Sequence, residues 1–194
     1  MTLSPETLAA FRTDIGDIPC HDDPKYVGLK SRDYFWYSPI LSAELDGLTA
    51  QLVVQPRTEA EVITIAAAVA RHRIPLTIRG GGTGNYGQCV PMEGGVILET
   101  VKLDRVISIV SGRVVCEAGA RMEGVEKAVA ATGQMLSMFP STKRLATMAG
   151  FVSGGSGGIR SLRNGMLRDG SNITYVRIVT VEPNPQIKIG RAHV

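Results

Sequence analysis

Residues Arg79 to Gln88 read Arg-Gly-Gly-Gly-Thr-Gly-Asn-Tyr-Gly-Gln, and five of these ten residues are glycine. The run follows Pro75-Leu76-Thr77-Ile78, a short apolar segment that reads as a strand. Glycine lacks a Cβ, so a glycine run reaches backbone angles closed to other residues. Its successive N–H groups can then line one concavity and hold an anion. A flexible surface loop is the competing reading. Three glycines straight after a strand, flanked by Arg79 and Thr83, favour phosphate binding.

Gly82-Thr83-Gly84-Asn85-Tyr86-Gly87 also matches the letters of the dinucleotide fingerprint G-x-G-x-x-G. That fingerprint needs a helix opening at the loop, because the helix N-terminus holds the pyrophosphate. Here Pro91 and Gly94-Gly95 oppose a helix, and Val96-Ile97-Leu98 is short and β-branched. No Gly-Lys-Ser or Gly-Lys-Thr follows, which excludes a Walker loop. A kinase glycine loop lacks its Val-Ala-Ile-Lys and His-Arg-Asp partners. The expected arrangement is strand, loop, strand, with bare amides and no helix dipole.

Five further motifs accompany the loop. Val54-Gln55-Pro56-Arg57-Thr58-Glu59-Ala60-Glu61-Val62 leads into a helix, and Gly94-Gly95-Val96-Ile97-Leu98 follows the loop. Glu117-Ala118-Gly119-Ala120 comes next, then Pro140-Ser141-Thr142 with Thr147-Met148-Ala149-Gly150. Arg168-Asp169-Gly170 precedes the strand-like run Val176 to Val181. In this order the motifs resemble the PCMH-type FAD-binding domain of the vanillyl-alcohol oxidase / p-cresol methylhydroxylase flavoprotein superfamily. Within it, they are most similar to the glycolate oxidase and D-lactate dehydrogenase-like FAD-linked oxidases. The resemblance covers roughly residues 45 to 182. It implies an α+β fold of two subdomains with FAD between them.

The resemblance implies cofactor contacts at Arg79, Gly80, Gly81, Gly82, Thr83, Gly84 and Gln88 in the first loop. It implies more at Pro140, Ser141, Thr142, Thr147, Ala149 and Gly150, at Ser153, Gly154 and Gly155, and at Val179. Two departures stand out. Ala149 replaces the first of two glycines that usually end the fifth motif. Thr83 stands where many members carry a histidine that attaches FAD covalently, so non-covalent FAD is implied at this loop. The family's substrates include 2-hydroxy acids and other alcohols, and the groups that bind substrate usually lie in a C-terminal part. That part is expected to lie outside this chain, in a further domain or subunit, and no catalytic base is assigned. Arg144, Arg160, Arg163 and Arg168 read as solvated surface cations. Two other functions compete: a non-catalytic FAD-binding module of a split flavoprotein, and a nucleotide- or phosphosugar-binding protein without flavin. A serine hydrolase is disfavoured because no G-x-S-x-G occurs.

The chain has 194 residues, 44% hydrophobic and 20% charged, enough for one domain with a proper core. A net charge of +3, dispersed along the chain, gives no case for nucleic acid. No run approaches the roughly 20 apolar residues of a membrane span. The N-terminus lacks the pattern of a signal peptide, so a cytoplasmic location is expected, while the resemblance implies a small-molecule substrate. Cys20, Cys89 and Cys116 are unpatterned and read as buried or partly buried free thiols, with no metal site.

Residues 1–44 are read as an N-terminal extension, 45–182 as the FAD-binding domain and 183–194 as a truncated, non-native tail. Ile189 to Val194 spell the translation of a common sequencing adapter, so His193 carries no functional weight. Ser4-Pro5 starts a short helix through about Thr13, and residues 14 to 33 look irregular. Tyr34-Phe35-Trp36-Tyr37 gathers four of the ten aromatics into a packed anchor. Gln51 to Val54 reads as a strand. Thr58 and Glu61 form a capping box for a helix over 59–72, with Val62, Ile65, Ala66 and Val69 on its core face. Val106 to Glu117 reads as a hairpin turning at Ser111-Gly112, and Arg121 to Ala131 as a helix closed by Gly133. Gly150 to Gly158 forms a second glycine cluster whose embedded Phe151, Val152 and Ile159 argue against a mobile spacer.

Overall fold

The computed structural model describes residues 3–155, 157–167, 169 and 172–190. Three helices near the N-terminus share one start signal, a short polar cap followed by proline at the first helical position. Ser4 caps α1 (Pro5–Ile15). Strand β1 (Cys20–His21) follows, and Asp23 then caps α2 (Pro24–Lys30) by accepting the Tyr26 N–H at 2.9 Å. Ser38 caps α3 (Pro39–Leu45) after a 3-10 turn over Phe35–Tyr37. Residues 14 to 33, expected to be irregular, therefore contain a strand and a helix, because the Asp23-Pro24 start works as the Ser4-Pro5 start does.

Strand β2 (Leu52–Val54) leads into α4 (Glu59–His72), then β3 (Leu76–Arg79) and β4 (Val96–Glu99). The capping box forms: Thr58 accepts the Glu61 N–H at 3.2 Å, while the Glu61 carboxylate reaches back to the Arg57 N–H. Together β1, β2, β4 and β3 make one sheet in that order, parallel except for β1 at its edge. The register pairs Leu52 with Val96, Val53 with Ile97 and Val54 with Leu98. Side chains alternate across a strand. Leu52, Val54, Val96 and Leu98 thus meet Phe11, Ile15, Ile65, Ala68 and Val69 of α1 and α4. Val53 and Ile97 face the other way, onto Val27 of α2 and Ala50. Helices on both faces explain why the central strands are unbroken apolar runs. Each such side chain contributes about 1.5–3 kcal/mol when fully buried.

A second core forms after the sheet. Strands β5 (Val106–Val110) and β6 (Arg113–Cys116) make the expected hairpin, and α5 (Met122–Ala130) packs beside it. Helix α6 (Met148–Gly154) adds Phe151 to a cluster holding Met122, Val125, Val129, Met138 and Phe139. A single turn, α7 (Ser161–Asn164), follows. The second glycine cluster is therefore partly helical, held by the apolar residues within it. Strands β7 (Val176–Val179) and β8 (Ile187–Gly190) pair antiparallel, with Pro183-Asn184-Pro185 in the connection between them. Arg177 of β7 reaches both carboxylate oxygens of Glu59 at the start of α4. Cys89 is buried, and Cys20 and Cys116 are half-buried. Among the described residues no helix is long and apolar enough to cross a membrane.

Helix α2 covers the C-terminal edge of the sheet with a buried polar network. Glu99, at the end of β4 and 1% exposed, accepts from Lys30 Nζ, from Gln55 Nε2 and from the Tyr26 hydroxyl at 3.1 Å. Burial alone would raise the Glu99 pKa. Its hydrogen bonds from Lys30, Gln55 and Tyr26, with the Lys30 charge, outweigh burial and hold it below the usual glutamate range. Burial, then the Glu99 charge, pushes the Tyr26 hydroxyl up to about 12.

Glu99→Gln leaves Lys30 without its counter-charge and is expected to cost on the order of 2–4 kcal/mol at neutral pH. A group whose pKa is depressed by folding stabilises the fold above its unfolded value, and that share fades as pH falls through the folded value. The gap between wild type and Glu99→Gln in urea unfolding should therefore narrow below the ordinary glutamate pKa of about 4.3. A gap that stays constant, or widens in acid, contradicts this account of the network.

Candidate functional site

Strand β3 ends at Arg79, and residues 80–95 return to β4 without a helix, as the glycine and proline content requires. The Arg79 side chain does not point into solvent. It is 8% exposed, and its Nη1 donates to the carbonyls of Lys30 and Arg32 and contacts Cys89 Sγ at 3.2 Å. The guanidinium thus finishes the last turn of α2 and forms a floor under the loop. Gly82 lies directly over it with φ of 63°, where a Cβ would stand 2.0 Å from Arg79 Nη2. Burial raises the pKa of the Cys89 thiol, with the Arg79 charge opposing, so Cys89 serves as a neutral contact.

Residues 142–150, read as a separate motif, lie against this loop. A Cβ on Gly80 would stand 2.2 Å from Thr147 Oγ1, and one on Gly81 would stand 2.1 Å from the Leu145 carbonyl oxygen. The Gly150 Cα lies 3.7 Å from the Cβ position of Gly80. The Thr142 and Thr83 hydroxyls meet at 3.4 Å. The two segments are about sixty residues apart in sequence, and only side-chain-free backbone lets them close to this distance.

Polar groups without partners collect at this junction. The backbone N–H groups of residues 81–85 have no acceptor among the described residues. The Thr147 hydroxyl, on a residue 1% exposed, and Asp33 Oδ2, on a residue 3% exposed, are buried without a hydrogen bond. Buried polar groups are seldom left unpaired. A run of free amides with an orphan hydroxyl beside it supplies the kind of donors that a diphosphate needs. The residues present therefore fit a dinucleotide.

The other expected contacts divide. Gln88 accepts the Tyr86 N–H at 3.2 Å and lies 2.4 Å from the Cβ position of Gly84. Pro140 and Ser141 open the turn that carries Thr142, with the Pro140 carbonyl accepting from Lys143 at 3.1 Å. Ala149 is half-buried, and its N–H donates to the Ala118 carbonyl at 3.0 Å, so its methyl is accommodated. Ser153, Gly154 and Gly155 sit exposed at the far end of α6. Val179 lies on β7, which packs against α4. Arg144 and Arg163 are exposed, while Arg160 donates to the Leu136 carbonyl at 3.0 Å. Arg168, Gly170, Ser156 and His193 lie outside the described residues.

Three contributors were missing from the sequence reading. Leu145 supplies a carbonyl wall, and Asp33 and Tyr34 touch the loop from the N-terminal segment. The expected aromatic anchor is only partly packed: Phe35 is buried with Leu45 and Val90, while Trp36 and Tyr37 are exposed. The pairing of Tyr34 with Gly84 joins residues fifty positions apart and leaves no local pattern to find.

The signature of the family described as FAD binding domain matches residues 50–184. The chain is 33% identical over 119 residues to a D-lactate dehydrogenase of Archaeoglobus fulgidus, covering 61% of this chain and 27% of that protein. It is 32% identical over 134 residues to the glycolate oxidase subunit GlcD of Escherichia coli, covering 66% and 27%. A mitochondrial D-2-hydroxyglutarate dehydrogenase of Rattus norvegicus is 30% identical over 169 residues, covering 86% and 30%. The chain thus spans under a third of the length of these relatives. Among solved structures, an alkyldihydroxyacetonephosphate synthase superposes with a TM-score of 0.79 at 19% identity, covering 100% of this chain and 39% of that one. Phl p 4, a glucose dehydrogenase, gives 0.73 at 16% identity, covering 94% and 38%. These likenesses bear out the α+β PCMH-type fold.

Two glycine substitutions separate the junction from ordinary positions. Gly81→Ala drives a methyl into a backbone carbonyl and is expected to cost roughly 1–3 kcal/mol. Gly124→Ala in α5, where a Cβ meets nothing within 4 Å, is expected to gain about 0.5–1 kcal/mol from helix propensity. Thermal unfolding of both variants checks this, and equal effects at the two sites would contradict the close approach.

Proposed function

The chain belongs to the FAD binding domain family, whose cofactor is FAD, and on that premise we propose that it is the cofactor-holding part of an oxidoreductase acting on a 2-hydroxy acid or a similar alcohol. The run of unpartnered amides at residues 81–85 carries this reading. Those N–H groups would hold the diphosphate, with the Thr147 hydroxyl as a further donor beside them. Arg79 supports the loop from below and brings a buried positive charge close to the anion. The sequence relatives named for D-lactate, glycolate and D-2-hydroxyglutarate share one chemical class, a carbon bearing a hydroxyl next to a carboxylate. When bound, the flavin supplies the acceptor for the hydride of that carbon.

This chain's own residues bind and orient. The glycine loop fixes the diphosphate, and residues 142–150 form its second wall. Thr83 carries a hydroxyl rather than an imidazole, so the attachment at this loop is non-covalent. The group that takes the substrate proton belongs to protein outside this chain, in keeping with the share of each relative that the chain spans.

The 194-residue protein mixed with FAD should turn yellow, quench flavin fluorescence and release all of its flavin in acid. Thr147→Val removes an orphan hydroxyl at constant shape, so its melting temperature should be no lower than wild type. Its FAD dissociation constant should rise roughly five- to tenfold, the worth of one hydrogen bond. Failure of the folded wild type to retain FAD would sink the reading.

A further inference from the structure

Residues 31–37 lie outside the span matched by the family, yet they press on the glycine loop. Asp33 Oδ1 accepts the Phe35 N–H at 2.8 Å and closes a tight turn. The turn leaves the Tyr34 N–H facing the loop, where it donates to the Gly84 carbonyl at 2.8 Å. Among the described residues this is the only backbone hydrogen bond made by residues 81–85. The Thr83 hydroxyl also meets that of Thr142, but the Tyr34 tether is what fixes the Gly84 carbonyl. The C=O and N–H of a trans peptide point in opposite directions. Fixing the Gly84 carbonyl toward Tyr34 therefore turns the Asn85 N–H away from Tyr34.

We propose that Asp33 is a positioning residue of the cofactor loop: through the turn it closes onto Phe35, it holds the Tyr34 N–H against the Gly84 carbonyl and so aims the Gly84–Asn85 amide at the ligand. This rests on the reading of the loop as the diphosphate site. Only Oδ1 is used. The second oxygen, Oδ2, is buried and unpartnered, 3.1 Å from the Cβ position of Gly84. A negative charge there opposes an anion in the loop. The side chain is thus needed for the geometry of its acceptor and not for its charge. Asparagine, which keeps the acceptor and drops the charge, should serve as well or better. Alanine should not.

The test uses the 194-residue protein, with FAD titrated by fluorescence quenching and amide exchange read in the absence of FAD at Tyr34, whose N–H makes the tether. Asp33→Ala should bind FAD about five- to tenfold more weakly, one lost hydrogen bond in effect, and exchange Tyr34 faster. Asp33→Asn should exchange like wild type and bind at least as tightly. Asp33→Ser keeps a weaker acceptor and should fall between; it also keeps the comparison with Asp33→Asn informative if the alanine variant does not fold. A loss in Asp33→Asn equal to that in Asp33→Ala overturns the proposal, because charge would then matter. Unchanged affinity or unchanged Tyr34 exchange in Asp33→Ala, or in Asp33→Ser where that variant stands in for it, overturns it too. Failure of the wild type itself to bind FAD marks the underlying reading as wrong, and is told apart because no variant is involved.

Discussion

The structure depends on a contact in which two backbones come closer than any side chain allows. Gly80 and Gly81 lie against Thr147 and the Leu145 carbonyl, with no space for a Cβ at either position. The facing segment is not free to retreat. The Met122 N–H donates to the Ala146 carbonyl, Glu123 to that of Lys143, and Ala149 to that of Ala118, each at 3.0 Å. Those bonds make residues 143–149 a rigid part of the second core. The glycine loop is rooted equally firmly in the first core through β3. One short stretch therefore joins two cores and shapes a proposed ligand site, so selection on either role constrains the other.

Charge placement follows from the same geometry. A helix-based dinucleotide site uses a dipole, but residues 80–95 contain no helix. Arg79 offers a substitute. Its guanidinium is spent on two neutral carbonyls and a neutral thiol, and no carboxylate is among its hydrogen-bond partners in the described residues. Its charge is consequently not cancelled by direct pairing, and it lies under Gly82 in a region from which water is mostly excluded. Coulomb interactions there are several times stronger than at the surface. Glu99, its cross-strand neighbour, is satisfied by Lys30, Tyr26 and Gln55 instead. The α2 network thus keeps the sheet's own acid occupied, one strand away from the floor of the loop.

The sequence makes local signals legible and long-range ones illegible. The capping box at Thr58, the hairpin turning at Ser111-Gly112 and the glycine run after β3 are all readable because each is decided within a few residues. The start of α2 at Asp23-Pro24 carries the same local signal as that of α1, but its short apolar stretch gives no helical period to confirm it. Helix α6 is hidden for another reason: glycine at positions 150 and 154 lowers its propensity, and burial of Phe151 overrides that penalty. The floor and the clamp of the loop could not be read at all. Arg79 with Lys30 and Arg32, and Tyr34 with Gly84, are pairings fixed by tertiary packing, and neither leaves a spacing in the chain.

A loop with five successive unpartnered amides is a poor stability element. Each buried donor left unpaired costs about 1–3 kcal/mol, although partial exposure lets water lower that figure here. The same donors could have been satisfied cheaply: a side-chain acceptor in place of Leu145 or a helical turn after Gly84 would do it. The chain instead closes the loop with glycine, which maximises the entropy lost on ordering. These costs all fall at one place, and the capping, hairpin and core elements elsewhere obey local rules. Such a concentration of unfavourable choices marks the part of a fold shaped for a ligand rather than for stability. The free amides, the orphan Thr147 hydroxyl and the buried Arg79 charge all suit one type of partner, an anion with several oxygens, and no group among the described residues supplies it.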